Sequence, residues 1–351
     1  ENFFAYNGLG SVYKEMNKDD ESIYYYEEAV KVKPDYLIAY DNLGASLSAT
    51  DKLKEAKKVF EKILELDPNY KYIIGKLIFT KMMLYDWSNL DHGKNNLIEL
   101  LNKKKRAINP FPLLSIIDNP EQHKNCAEIF VNDKYKDPES KIKKYLKKKS
   151  DKIRIGYFSP DFRNHPMLFL MMDVFKYHDK SKFDVYAFSF GPEAKGEIYD
   201  TVKGFFTEFI NVRDISDKDL IKLSRDMKID IAIDLCAYTA YNRASIFNSR
   251  LAPIQINYLG YPGTMGANFI DVIIADNIVI PEADKKYYTE RVFNLPNCYQ
   301  ACPKNLPMSD KKFRRSELGL PEDAVVFCNF NANFKNTPDM FTAWTNIMKK
   351  V

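Results

Sequence analysis

The segment from Ala252 to Gly266, Ala-Pro-Ile-Gln-Ile-Asn-Tyr-Leu-Gly-Tyr-Pro-Gly-Thr-Met-Gly, joins a strand pattern to a glycine-rich exit. Ile254, Ile256 and Tyr258 alternate as in a buried strand, and Gly260, Pro262, Gly263 and Gly266 then break it. Glycine at the carboxyl end of a strand lets backbone N–H groups come close to a ligand, and in an open α/β sheet that edge is where ligands bind. A tight turn with no ligand has the same composition. A second segment, Ser159-Pro-Asp-Phe-Arg-Asn-His165-Pro166, places a histidine just ahead of a predicted helix. The helix dipole there favours a neutral imidazole that accepts or relays a proton, and the same position suits a histidine that only caps the helix. Two more loops, Gly191-Pro-Glu193 and Ala237-Tyr238-Thr239-Ala-Tyr-Asn-Arg243, also leave predicted strands at their carboxyl ends.

Other candidates are weaker. His92 and His123 belong to no motif, and His178 reads as a surface residue at a helix end. No nucleophile elbow, Walker loop or Gly-x-Gly-x-x-Gly is present. Asp217-Lys218-Asp219 matches Asp-x-Asp on paper, but it opens a helix and reads as an Asp217 cap with an acidic first turn. Cys298 and Cys302 form one Cys-x-x-x-Cys without a second ligand pair, so no metal is expected. Cys236 and Cys328 fall in strand-like runs and read as buried thiols of a reducing compartment.

The elements that would carry these loops alternate along the chain. Strand patterns run over Ile153–Phe158, Phe183–Phe190, Phe209–Val212, Ile229–Leu235, Ile254–Leu259, Asp271–Ile274 and Val292–Leu295. Helical patterns cover Met167–Tyr177, Ile198–Phe206, Asp217–Met227 and Arg243–Ser249, which predicts a parallel sheet with helices on both faces. After the Pro303–Pro321 stretch, Ala324–Phe330 reads as a fresh strand and Pro338–Lys350 as a helix, the start of a second α/β domain.

Ahead of the sheet lies a repeat. Tyr6/Tyr40, Leu9-Gly10/Leu43-Gly44, Ser22/Ala56, Tyr26/Phe60 and Pro34/Pro68 recur at the 34-residue tetratricopeptide period. A degenerate third unit over Asn69–Trp87 would close the stack through a helix at Lys71–Leu84. Residues 88–150 read as a helical linker broken by Pro110, Pro112, Pro120 and Pro138, with the Lys103–Arg106 and Lys147–Lys149 runs as solvated faces.

A net charge of +4 from 52 basic and 48 acidic residues gives no case for a nucleic-acid partner. No apolar run has membrane-span length, since the longest, Met167–Phe175, carries Asp173; a cytoplasmic protein is expected. Glu1 opens the chain inside a helical pattern, so the chain is expected to be a fragment.

Taken together, these blocks resemble the tetratricopeptide-repeat O-linked N-acetylglucosamine transferases and their plant relatives of the SPINDLY type. The matching pieces are Arg154–Pro166, Asp230–Thr239 with Asn242-Arg243, Ala252–Thr264, and Phe327–Asn331 with Lys335. The short link between Pro296 and Phe327 is closest to bacterial members. The resemblance implies repeats (1–87), a helical linker (88–150), an N-terminal Rossmann-like catalytic domain (151–302), a link (303–323) and an incomplete nucleotide-binding domain (324–351), the first half of a GT-B glycosyltransferase. It implies inverting, metal-independent transfer of N-acetylglucosamine from UDP-N-acetylglucosamine to Ser or Thr of proteins, without a cofactor. A fucosyl- or glucosyltransferase is the alternative, as is a non-catalytic repeat scaffold, and the fragment alone is expected to turn over negligibly. Carried over by position, His165 is the catalytic histidine, a base or a group that orients the acceptor. Tyr238, Thr239, Gly260, Tyr261, Pro262, Gly263 and Thr264 lie beside the donor, and Asn42 grips the polypeptide acceptor along the repeats. Many bacterial members have Gly-His-Thr where this chain has Ala237-Tyr238-Thr239. The place equivalent to Asn42 in the earlier repeat is Gly8, so the asparagine ladder is expected to be interrupted.

Overall fold

A computed structural model describes residues 2–135, 151–304 and 309–351. Pro138, the Lys147–Lys149 run and part of the 303–323 link thus lie outside the described residues. Two compact units result, one of Asn119–Ser309 and one of Glu1–Asp118 with Asp310–Val351.

The repeats form α1 (Phe3–Glu15), α2 (Asp19–Val32), α3 (Leu37–Ala49) and α4 (Leu53–Leu66), followed by α5 (Ile73–Met83), α6 (Leu90–Asn102) and the single turn α7 (Pro110–Leu113). The Leu-Gly recurrence has a steric cause. A Cβ on Gly44 would lie 2.3 Å from the ring of Phe60, and one on Gly10 2.6 Å from that of Tyr26. Both rings are buried between paired helices.

The second unit opens with α8 (Pro120–Lys134), capped by Asn119, whose Oδ1 accepts from Glu121 N at 2.9 Å. Then follow β1 (Ile153–Ser159), α9 (Pro166–Lys176), β2 (Phe183–Ser189), α10 (Glu197–Lys203), β3 (Glu208–Asn211), α11 (Asp217–Asp226), β4 (Ile231–Asp234), α12 (Ala244–Asn248), β5 (Ile254–Tyr258), β6 (Val272–Ala275) and β7 (Arg291–Asn294). All pairings are parallel, in the order β3-β2-β1-β4-β5-β6-β7. On one face Ile155, Tyr157, Val185, Ala187 and Ile233 pack with Leu168, Met171, Phe175 and Phe206. On the other, Phe158 stacks on Phe188 at 4.4 Å and meets Phe247 of α12 edge-on at 5.6 Å.

Four expectations fail. Ser216, not Asp217, caps α11, its hydroxyl accepting from Asp219 N at 3.1 Å. Asp217 sits one place inside and holds Arg243 Nε at 2.8 Å instead. His178 is half-buried, with its Nε2 2.9 Å from the Tyr157 hydroxyl. Ala324–Phe330 forms no strand, because none of the described residues offers it a ladder, and Phe330 is 94% exposed. Cys328 is consequently exposed.

Beyond that segment, α13 (Pro338–Met348) and the residues ahead of it pack on the repeats. Phe334 meets Phe79 at 5.0 Å and Phe111 at 6.1 Å. The Tyr85 hydroxyl donates to Asn333 Oδ1 and accepts from Asn336 Nδ2, both at 3.1 Å.

Candidate functional site

The chain runs outward from β1 through β2 to β3, then returns to lay β4 against the other side of β1. Strand order therefore reverses between β1 and β4. In an open parallel sheet, that switch point leaves a crevice at the carboxyl ends of the strands, where ligands bind. The loops after β1, β4 and β5 carry His165, Tyr238 with Thr239, and Gly260–Thr264, so the structure brings these residues to one edge on three neighbouring strands. Asn42 belongs to the other unit. Its Nδ2 donates to Asn7 Oδ1 at 3.0 Å, a partner one place before the Gly8 that the period suggests.

His165 is the N-cap of α9. Its Nδ1 accepts from Met167 N at 3.2 Å, so the proton of the neutral ring sits on Nε2. Burial holds its pKa below the ordinary imidazole value; Asp161 pulls the other way, and Arg163 adds to the lowering. Asp161 Oδ2 lies 3.7 Å from Nδ1, close enough to pair with the ring only if it is protonated. Arg163, which sequence reasoning passed over, donates to Asp161 Oδ1 at 3.1 Å and lies 5.9 Å over the Tyr241 ring of the β4 loop. Its neighbours in the chain gave no signal of that role.

The loop after β5 is fixed from inside. Leu259 has φ 70°, and a Cβ on Gly260 would fall 2.1 Å from the Leu235 carbonyl oxygen, so the β4 and β5 loops touch backbone to backbone. The Tyr261 carbonyl accepts from Asn257 Nδ2 at 3.0 Å, that of Pro262 from the Tyr288 hydroxyl at 3.1 Å, and that of Met265 from the Tyr238 hydroxyl at 2.7 Å. Thr264 Oγ1 donates to Glu290 Oε2 at 2.7 Å, while Met265 N donates to Glu290 Oε1 at 2.6 Å. Burial pushes the Glu290 carboxyl above its usual range, against the bonds from Thr264 and Met265. Thr239 turns its hydroxyl to the Cys236 carbonyl at 2.8 Å, and Tyr261 is buried. The side chains of Tyr238, Thr239, Tyr261 and Thr264 thus build the rim. With the carbonyls turned inward, the N–H groups of Gly263 and Thr264 have no acceptor among the described residues, which suits an anion.

Ala237 adopts φ 48° and Tyr241 φ 58°, left-handed conformations that glycine takes at no cost. Strain at this edge is a feature of sites that hold ligands.

Comparison with known proteins decides the family. A model of glycosyl transferase family 41 matches residues 121–305 and 298–351, and a tetratricopeptide repeat model matches 5–36 and 37–70. The chain belongs to glycosyl transferase family 41. It is 36% identical over 205 residues, 57% of this chain and 21% of the relative, to the probable UDP-N-acetylglucosamine–peptide N-acetylglucosaminyltransferase SEC of Arabidopsis thaliana. Identity to the SPINDLY protein of that plant is 30% over 209 residues, covering 58% of this chain and 22% of that protein. To the UDP-N-acetylglucosamine–peptide N-acetylglucosaminyltransferase of Caenorhabditis elegans it is 28% over 236 residues, 62% of this chain and 20% of that one. The chain thus spans about a fifth of the length of these relatives. In fold, it matches a mutant of the Thermobaculum terrenum O-GlcNAc transferase with a TM-score of 0.72 at 20% identity, over 99% of this chain and 66% of that one.

Proposed function

We propose that the protein is a protein O-glycosyltransferase that moves N-acetylglucosamine from UDP-N-acetylglucosamine to Ser or Thr hydroxyls with inversion at the anomeric carbon. The observation that carries the reading is the make-up of the switch-point edge in a family 41 chain: a neutral histidine, an arginine and a glycine loop with its carbonyls turned away. The acceptor oxygen attacks the anomeric carbon as the bond to the diphosphate breaks, and the hydroxyl proton passes to the departing diphosphate oxygen. Loop N–H groups and Arg163 would offset the charge that gathers on the diphosphate, without calling on a metal.

The tautomer supports one role for His165. Its Nδ1 is occupied by the helix cap, so its Nε2–H is a donor. It orients an acceptor or donor oxygen rather than taking a proton, because a general base at Nε2 would need the proton moved to Nδ1 and the cap broken. The repeats would hold the polypeptide acceptor, with Asn42 locked in orientation by Asn7.

The test is transfer by the full-length protein with UDP-N-acetylglucosamine, UDP-glucose and GDP-fucose, followed by Ser/Thr mapping. His165→Asn, which keeps a capping side chain but loses the Nε2–H donor, is expected to lower kcat about a hundredfold. Undiminished transfer in that variant removes the role of His165. Capture of polypeptides without transfer of any sugar makes the protein a scaffold.

A further inference from the structure

Two buried oxygen atoms at the roots of the rim loops lack a hydrogen-bond partner, Asp234 Oδ2 and Asn257 Oδ1. Asp234 and Asn257 face each other in register on the adjacent parallel strands β4 and β5, so both side chains lie on the same sheet face. They are 1% and 0% exposed. Neither group is free to turn. Asp234 Oδ1 accepts from Cys236 N at 3.0 Å, Ala237 N at 2.9 Å and Cys236 Sγ at 3.3 Å, so that oxygen carries no proton. Asn257 Nδ2 donates to the Tyr261 carbonyl at 3.0 Å and reaches that of Gly263 at 3.5 Å. A flipped amide would set its oxygen against two carbonyls. Two buried acceptor atoms are left on register partners, and one proton between them satisfies both.

We propose that Asp234 is held as the carboxylic acid and donates from Oδ2 to Asn257 Oδ1, tying the exit of β4 to the exit of β5. Through the Asn257 amide, this bond orders the Tyr261 and Gly263 carbonyls, so Asp234 is a positioning residue for the Gly260–Thr264 loop. The bond stands whatever the rim binds. The groups that act on Asp234 directly are acidic or neutral, and Arg163 is paired with Asp161. Cys236 and Tyr238 on the β4 exit, and Tyr135 after α8, interact with Asp234 and have their ionisation pushed up by burial. Asp161 on the β1 exit and Glu290 act on the same cluster, Phe158 pairs with Asp234 from β1, and no cation bridges to Asp234 among the described residues. Burial favours the uncharged acid.

The sign follows. With its folded pKa above the unfolded value of about 3.9, Asp234 contributes stability that is full below that value and declines as pH rises through the folded one. Asp234→Asn supplies a permanent N–H donor in place of the acid. It is expected to unfold no earlier than the wild type at neutral pH, with an advantage that grows as pH rises, while Asp234→Ala unfolds earlier. Infrared spectra at neutral pH should show a protonated-carboxyl C=O stretch that moves on ¹³C-labelling of aspartate and shifts in Asn257→Ala. This band is read in the wild type, so the test survives a variant that fails to fold. A wild type with carboxylate bands alone, or an Asp234→Asn protein less stable than the wild type at every pH, overturns the proposal and leaves an ionised Asp234 solvated by buried water.

Discussion

Thr264→Val isolates the force that sets the rim loop. The change is nearly isosteric, so it opens no cavity, and it removes the hydroxyl that donates to Glu290 Oε2 at 2.7 Å and accepts from Gly266 N at 3.1 Å and Thr289 N at 3.2 Å. Glu290 is 4% exposed, and after the change the Thr289 hydroxyl at 3.2 Å is the side-chain donor left on Oε2 among the described residues. A hydrogen bond to a buried carboxylate contributes about 1.5–3 kcal/mol. A loss of about 2–3 kcal/mol corresponds to about 30- to 150-fold at 1.4 kcal/mol per decade. Both tryptophans, Trp87 and Trp344, lie in the other unit, so their fluorescence does not report on this loop. Hydrogen exchange of the β5 and β6 amides does, and should accelerate by that factor at neutral pH. Because the folded Glu290 pKa is raised, its contribution is full below about 4.3 and falls as pH rises. The Thr264→Val deficit should therefore shrink towards pH 4. A change below threefold at neutral pH, or a deficit that grows on acidification, would refute the reasoning.

Four further outcomes are expected. His165→Ala removes the α9 cap and should cost about 1 kcal/mol in unfolding free energy while His165→Asn restores it, which separates capping from any effect on transfer. Gly44→Ala should lower the melting temperature of the repeats, since overpacking against Phe60 costs about 1–3 kcal/mol and exceeds the roughly 1 kcal/mol gained in helix propensity. Gly8→Ala, whose Cβ would meet nothing within 4 Å, should raise it, as circular dichroism melts can show. Cys298, Cys302 and Cys328 should react with a thiol reagent in the native protein, and the buried Cys126 and Cys236 only after unfolding, as mass spectrometry of the labelled peptides will tell.

The repeats were legible because their signal is local: a glycine and a ring 16 residues apart must meet, and they do so twice at one period. The sheet strands up to Val292–Leu295 were legible from alternation and glycine breaks, and one edge for the four loops follows from parallel strands. The strand order was not legible. It depends on which side of β1 the crossover before β4 returns to, and only that order creates the switch point beside His165. Nor could composition show that Tyr238 and Thr264 would turn inward. Their partners, Met265 and Glu290, lie 27 and 26 residues on. The Ala324–Phe330 run has a strand's residues, but a strand exists only with a ladder partner. Ser216 and Asp217 both have capping side chains, and one residue of helix phase decided between them.

The central claim, that the edge after β1, β4 and β5 holds a nucleotide-sugar, is tested most directly by photocrosslinking. A UDP-N-acetylglucosamine analogue with a photoreactive group on the sugar would be irradiated with the full-length protein and the labelled peptides sequenced. Labels are expected within Asp161–His165 or Gly260–Thr264, and unlabelled UDP-N-acetylglucosamine should suppress them. Competed labels confined to the repeats, with none on either loop, would contradict it.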